Sequence, residues 1–71
     1  MFNIGHQVWY VFEKQNKFEH TVDYVISFCD DIVVVWSDEL KKPLFIPREH
    51  IFNDSMTAFN YSEVLNEKRK K

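Results

Sequence analysis

The sequence predicts a mainly β domain, in which a small, strongly curved antiparallel sheet of four to five strands is followed by one C-terminal α-helix. Two observations lead to this prediction. Aromatic residues make up 17% of the 71 residues, and before residue 48 most of them stand with Val and Ile in short runs that polar turn residues separate. After residue 54, by contrast, apolar residues recur at spacings of three and four, which is the period of a helix.

The first two strands are predicted to form a hairpin. Residues 6–14 are rich in Val, Tyr, Phe and Trp, which fit a half-buried pleated surface. A polar tetrapeptide ends this strand, because its Asn16 adopts turn geometry at little cost. Residues 17–28 return as the second strand. Its apolar residues keep one parity from Phe18 to Ile26, but Val25 falls on the other parity, which predicts a bend or a β-bulge somewhere in this strand, of the kind that a curling sheet needs.

Two further strands complete the predicted sheet. Residues 32–37 follow a short acidic turn and begin with five consecutive β-branched or aromatic residues. Residues 43–47 form a shorter strand with a proline at each end. Because proline has no N–H to give to a neighbouring strand, this strand is expected at the edge of the sheet. The following Ile51 and Phe52 are expected to plug the open end of the curled sheet.

A helix is predicted over residues 55–68. Asp54 precedes it as the N-cap, and Thr57, three positions later, is able to reach back to the cap. Its apolar stripe consists of Ala58, Tyr61 and Leu65. The basic run 68–71 ends the helix, which suits the negative end of the helix dipole.

The runs IGHQVWYV, FEHTV, YVI, IVVVW and PLFIPREHIFNDSMTAFNY follow one another in this order. Together they resemble the small SH3-like barrel proteins of bacteria and their phages, which often begin with a Gly and a Val-aromatic strand and end with an Ile-Phe, a cap residue and an Ala-containing helix. The chain differs from that pattern after Asp54, where Ser55, Met56 and Thr57 replace an acidic first turn. The resemblance implies an SH3-like barrel with a C-terminal helix and a phage or mobile-element source, and it implies no activity.

Length and cysteine content limit the organisation and the location of the protein. A chain of 71 residues has room for one hydrophobic core, so residues 1–71 are predicted to form a single domain. Cys29 is the one cysteine, so an internal disulfide is excluded and a reduced, cytoplasmic setting is expected. The sequence has neither a signal-peptide pattern nor an apolar run near the roughly 20 residues that cross a bilayer, so no membrane partner is expected.

Metal binding and catalysis are both disfavoured. The residue types that ligate metals are present as His6, His20, His50, Cys29, Asp30 and Asp31. Their spacing matches no metal motif, so neither a metal nor another cofactor is predicted. The charged cluster Arg48, Glu49, His50 and Asp54 has acid–base residue types. A barrel of this size fills its interior with its own side chains and leaves no substrate pocket, so the protein is predicted not to be an enzyme.

The function that remains is a non-enzymatic interaction module that binds a partner protein or a second copy of itself. The strands carry apolar residues at both parities, whereas a domain with one core buries one face of each strand. The working surface is predicted at Trp9, Trp36 and Phe45, and the edge strand is a second place for a partner strand. The competing expectation is that the helix and the stems of Lys41 and Lys42 cover the second face entirely.

The alternative function is single-stranded nucleic-acid binding. Bases would stack on the same aromatic residues, and a basic tail would attract the phosphates. This tail consists of Lys68, Arg69, Lys70 and Lys71. Residues 1–67, however, hold five Lys and Arg against eleven Asp and Glu, a net charge of −6 that repels a phosphate backbone. Nucleic acid is therefore the less favoured partner.

Overall fold

The computed structural model of the protein describes residues 3–69 as one antiparallel sheet and one helix. The elements are β1 (Gln7–Lys14), β2 (Lys17–Cys29), β3 (Ile32–Ser37), β4 (Lys42–Pro47), a 3₁₀ turn (Arg48–His50), β5 (Ile51–Phe52) and α1 (Ser55–Arg69). The strand order is β4-β3-β2-β1-β5, so consecutive strands β1 to β4 are neighbours. The prediction of a mainly β chain with one C-terminal helix is confirmed. The sheet itself is open, with β4 and β5 as its two edges.

Tight turns set the register of the hairpins. Gln15 and Asn16 have φ values of 52° and 64°, as in the two-residue turns whose twist matches that of the flanking strands. This turn places Lys14 opposite Lys17 and so fixes the pairing of β1 with β2. The turn between β2 and β3 uses a positive φ of 50° at Asp30, a residue type that tolerates this conformation better than most.

A β-bulge in β2 accounts for the break in parity of its sequence. The pairing with β3 shifts between Val25, which lies opposite Val35, and Ser27, which lies opposite Val34. Val25 points into the core and is 1% exposed, whereas Ile26 at the shift is 41% exposed. The extra residue re-aims the remainder of the strand, as bulges do.

One face of the sheet carries the hydrophobic core, to which all five strands contribute. Its members are Val8, Tyr10, Phe12, Val25, Val33, Val35, Ile46 and Ile51. The polar end of Tyr10 is satisfied, because its hydroxyl donates a hydrogen bond of 2.7 Å to Oδ2 of Asp23. Burial of the side chain is the main reason why the pKa of Tyr10 lies far above its ordinary value. The hydrogen bond to Asp23 and the negative charge of Asp23 raise this pKa further.

Ile51 and Phe52 form a strand, where the sequence led us to expect a plug. They pair with Tyr10 and Trp9 of β1, respectively. Because side chains alternate along a strand, only Ile51 enters the core, and Phe52 points to the opposite face. A segment of two residues is too short to display an alternating pattern of its own.

Helix α1 packs on the opposite face of the sheet, over β1, β2 and β5. The predicted N-cap is confirmed, because the Thr57 N–H donates to Oδ2 of Asp54 at 3.0 Å and the Thr57 hydroxyl donates to Oδ1 at 2.8 Å. Both hydrogen bonds lower the pKa of Asp54, and the bond from the Thr57 backbone N–H contributes the most. Ala58 and Ser62 are the buried residues of the helix, and Val11, which alternates with the core residues of β1, is fully buried on this second face.

Candidate functional site

Helix α1 covers only the part of the second face that β1, β5 and the start of β2 form. Trp9 stacks on His20 with ring centroids 5.9 Å apart, and His20 meets Phe59 of the helix edge-on at 5.5 Å. Phe52 packs against Tyr61 of the helix at 5.2 Å. Trp9 is therefore half-buried beside the helix.

The last turns of α1 are attached to the free edge of β2. The Phe18 N–H donates to Oδ1 of Asn66 at 2.8 Å, and Nδ2 of Asn66 donates to the Phe18 carbonyl at 2.9 Å. Strand β3 pairs with β2 only from Tyr24 onward, so the Asn66 amide satisfies backbone groups that no strand reaches. Arg69 lies over the Phe18 ring, 4.9 Å from its centroid, and forms an ion pair with Glu13.

The remaining part of the second face is uncovered and apolar. Val33 and Val35 point into the core, so the residues that alternate with them point outward. The pairing places Tyr24 opposite Trp36, and Phe45 opposite Val34. We call this surface the outer patch, and it consists of Tyr24, Ile32, Val34, Trp36 and Phe45, which the pairing directs outward, together with Ile26, the exposed residue at the bulge. No charged side chain belongs to it.

The exposed area of the outer patch falls within the range of the largest apolar patch on a typical monomer. Phe45 is 70% exposed, Tyr24 56% and Trp36 43%. At on the order of 200 Å² for a whole aromatic side chain, these three alone expose roughly 350 Å². The largest apolar patch on a typical monomer measures about 300 to 600 Å² and is often functional.

A groove opens where the outer patch meets the turn between β2 and β3. It encloses about 550 Å³, and its lining includes Phe28, Ile32, Val34 and Phe45 as apolar residues and Asp30 and Asp31 as acidic ones. We call it the turn groove. A second depression of about 470 Å³ shares Asp31 and Ile32 with it and is completed by Pro47, Arg48 and Glu49.

Strand β4 is an edge strand, as its prolines predict, and its backbone offers little to another strand. The Arg48 N–H donates to the Asp31 carbonyl at 2.7 Å. In an antiparallel pair, the N–H and C=O groups of every second residue point toward the neighbouring strand. This bond therefore fixes which residues of β4 direct their backbone groups toward β3. The backbone groups of Pro43, Phe45 and Pro47 then point away from the sheet. Two of these three residues have no N–H, so Phe45 supplies the one outward N–H of β4.

The structure separates the three residues that the sequence predicts as the working surface. Trp36 and Phe45 lie together on the outer patch, whereas Trp9 lies beside the helix, on the covered part of the same face. Sequence reasoning did not select the other four residues of the outer patch. The sequence does contain a signal for the two of them that lie on β3. Both faces of this strand carry apolar residues, and only one face can point into the core.

The residues weighed for metal binding and catalysis are distributed over several elements of the structure. Within residues 3–69, no three His, Cys, Asp or Glu side chains lie close enough together to hold a metal ion. In the charged cluster, Asp54 caps the helix and Arg48 and Glu49 are exposed. His50 is half-buried, with its ring edge-on to Tyr61 at 5.2 Å.

The described part of the basic run lies away from the outer patch. Lys68 and Arg69 lie in the last turn of α1, whereas Lys70 and Lys71 lie outside the described residues. Arg69 is engaged with the hairpin of β1 and β2. That hairpin stands at one end of the 13-residue strand β2, and the turn groove stands at the other. The helix of the described chain is also neither long nor apolar enough to cross a membrane.

The outer patch and the turn groove are thus the surface on which a function is to be sought. They combine exposed aromatic side chains with two carboxylates at one end. Comparison of the chain with models of known protein families, with curated proteins and with solved structures found no match in any of the three.

Proposed function

We propose that this protein is a non-enzymatic module that binds a partner protein through the outer patch. The observation that carries the proposal is the uncovered part of the sheet face, where six uncharged side chains, three of them aromatic, lie on neighbouring strands. The cores of protein interfaces have this composition, since they are enriched in aromatic residues and depleted of charge. Trp and Tyr also dominate the binding energy of many interfaces.

The proposal includes the architecture and the setting. We propose that the sheet is a small SH3-like barrel, of the kind found in bacteria and their phages, and that it works in the cytoplasm. The barrel is supported by a core that draws on all five strands and by the approach of β1 to β4 and to the 3₁₀ turn. Among the layer architectures of small domains, a sheet that covers its own core face is a barrel, which is the form that the proposal assigns to this sheet. The cytoplasmic setting is supported by the exposed, unpaired Cys29.

A protein is a better partner for this surface than a single-stranded nucleic acid. Stacking of bases on aromatic rings needs a cationic track for the phosphates beside the rings. The outer patch contains no Lys or Arg, and the turn groove at its end is lined by Asp30 and Asp31. A phosphate backbone laid across Trp36 and Phe45 would therefore meet negative charge.

Affinity capture from the source cell with three forms of the protein as bait tests the proposal. The baits are the wild type, Phe45→Ser and Met56→Ser. Met56 is the matched control, because it is 66% exposed and apolar but lies on α1, outside the outer patch. We expect a partner protein that the wild type and Met56→Ser retain and that Phe45→Ser retains about tenfold less. Equal capture by all three baits, or capture of nothing, contradicts the proposal.

Two solution measurements distinguish the possible partners. Sedimentation of the wild type and Phe45→Ser over a range of concentrations reports whether the partner is a second copy. Titration with a single-stranded oligothymidylate, followed by tryptophan fluorescence at low and moderate salt, reports nucleic-acid binding. Quenching that weakens with salt and is absent in Phe45→Ser would replace a protein partner by nucleic acid.

A further inference from the structure

We infer that the turn groove receives a Lys or Arg side chain of the partner, one that stands beside the apolar residue that anchors the partner on the outer patch. The inference rests on the proposed function, because it assigns the partner of that same surface. The partner is thus a protein segment that combines an aliphatic or aromatic anchor with an adjacent cation.

The charge of the groove is complementary to a cationic side chain. The turn groove and the depression beside it are lined by three carboxylates and one guanidinium, namely Asp30, Asp31, Glu49 and Arg48. Residues 1–67 as a whole hold a net charge of −6. The local charge and the overall charge therefore both favour the approach of a cationic segment and disfavour an acidic one.

The shape and chemistry of the groove lining suit a Lys or Arg side chain. Phe28, Ile32 and Phe45 line the groove together with the two aspartates, and Ile32 and Phe45 also belong to the outer patch. A Lys or Arg side chain lays its aliphatic stem on such a surface and keeps its charged end in water. Here the charged end would meet the aspartates, and the ring faces add a cation–π attraction. A volume of about 550 Å³ accommodates a few side chains.

Two other modes of docking fit this surface less well. Addition of a strand to β4 is disfavoured, because Pro43 and Pro47 leave Phe45 as the one outward N–H. A second copy that docks face to face presents its own outer patch, which contains no Lys or Arg and therefore cannot supply the cation. A separate cationic segment satisfies both the apolar patch and the acidic groove.

Three model peptides without tryptophan test the inference. Each has nine residues, with a central Leu-Phe-Leu flanked on both sides by three lysines, three serines or three glutamates. Binding is followed by tryptophan fluorescence of the protein and by the amide chemical shifts of β3 and β4. We expect the lysine peptide to bind with a Kd on the order of 0.1 to 1 mM, as suits a small open interface, and at least about tenfold more tightly than the glutamate peptide.

Two charge variants show whether the groove itself is responsible. Asp30→Asn with Asp31→Asn removes the carboxylates of the groove. Asp38→Asn with Glu63→Gln removes the same charge from exposed positions outside it. We expect the first pair to weaken binding of the lysine peptide about threefold to tenfold, as the loss of two solvent-exposed ion pairs does, and the second pair to change it little.

The outcomes separate this inference from the proposed function. If the serine peptide binds as tightly as the lysine peptide, or if the two variants weaken binding equally, the cation has no place in the groove, while binding through the outer patch stands. If no peptide binds but Phe45→Ser loses a partner in the capture experiment, the inference is again wrong and the function stands. If no peptide binds and the capture retains nothing, both are wrong.

Discussion

The attachment of the last turns of α1 to β2 yields a quantitative prediction. Asn66 makes two hydrogen bonds to the backbone of Phe18, at 2.8 and 2.9 Å. Each is expected to contribute about 0.5 to 1.5 kcal/mol, so Asn66→Ala loses about 1 to 3 kcal/mol of folding free energy. The higher helix propensity of alanine offsets about 0.5 kcal/mol of this loss in folding free energy. The expected net loss is therefore about 1.5 kcal/mol.

Asn60 provides the matched control for this change. It lies on the same helix and is exposed, so Asn60→Ala should bring only the gain in helix propensity, about 0.5 kcal/mol. Urea unfolding followed by tryptophan fluorescence measures both variants. With a urea dependence of about 1 kcal/mol per molar for a chain this short, Asn66→Ala should lower the midpoint by about 1.5 M and Asn60→Ala should raise it slightly.

A second substitution at the same position tests the donor and the acceptor separately. In Asn66→Asp the ionised carboxylate accepts from the Phe18 N–H but cannot donate to the Phe18 carbonyl. The variant should be destabilised at pH 7 and should recover part of the loss as the carboxyl is protonated below about pH 4. If Asn66→Ala and Asn60→Ala behave alike, the paired hydrogen bonds contribute nothing, and the account of how the helix is held to the sheet is wrong.

Three further predictions concern the cap, the core and the sheet edge. Asp54→Ala should lower the thermal midpoint at pH 7 by about 5 °C. Because the pKa of Asp54 is lowered by folding, the gap to the wild type should close as pH falls below about 4, and a constant gap in circular dichroism melts would refute this. Tyr10→Phe should cost about 1 kcal/mol at pH 7. Since folding raises the pKa of Tyr10, this advantage of the wild type should shrink as pH rises above about 10, as urea unfolding at pH 7 and pH 11 would measure. Pro43→Val with Pro47→Val should promote slow aggregation, measured by light scattering, by restoring two outward N–H groups to β4; unchanged scattering would argue against edge protection.

The sequence predicts the elements that have a local signal of their own. Each of the strands β1 to β4 has a run of β-formers between turn residues, and the structure places them at Gln7–Lys14, Lys17–Cys29, Ile32–Ser37 and Lys42–Pro47. The helix begins after a cap whose two hydrogen bonds are local. The bulge is also local, because an inserted residue must shift the parity of the strand that contains it.

The features that the sequence does not predict depend on contacts between distant segments. Strand β5 has two residues, and it exists as a strand because it pairs with Trp9 and Tyr10. The difference between Trp9 and Trp36 is likewise tertiary: both are strand residues among apolar neighbours, and the position of α1 decides which of them is covered. The turn groove forms where the β2–β3 turn lies beside Phe45 of β4. The pairing of β3 with β4 brings these two segments together, and the local sequence gives no sign of it.

The contrast between two parts of β2 strengthens the functional interpretation of the outer patch. Toward the hairpin, β2 places polar residues opposite the core residues of β1, at Glu19, Thr21 and Asp23, and Asp23 accepts the hydrogen bond of the Tyr10 hydroxyl. On the uncovered part of the other face, the same strand and its neighbours expose Tyr24 and Ile26 beside Trp36 and Phe45. Exposed aromatic surface adds nothing to the stability of the monomer and lowers its solubility. This contrast is what the proposed binding of a partner through the outer patch would require of the sequence.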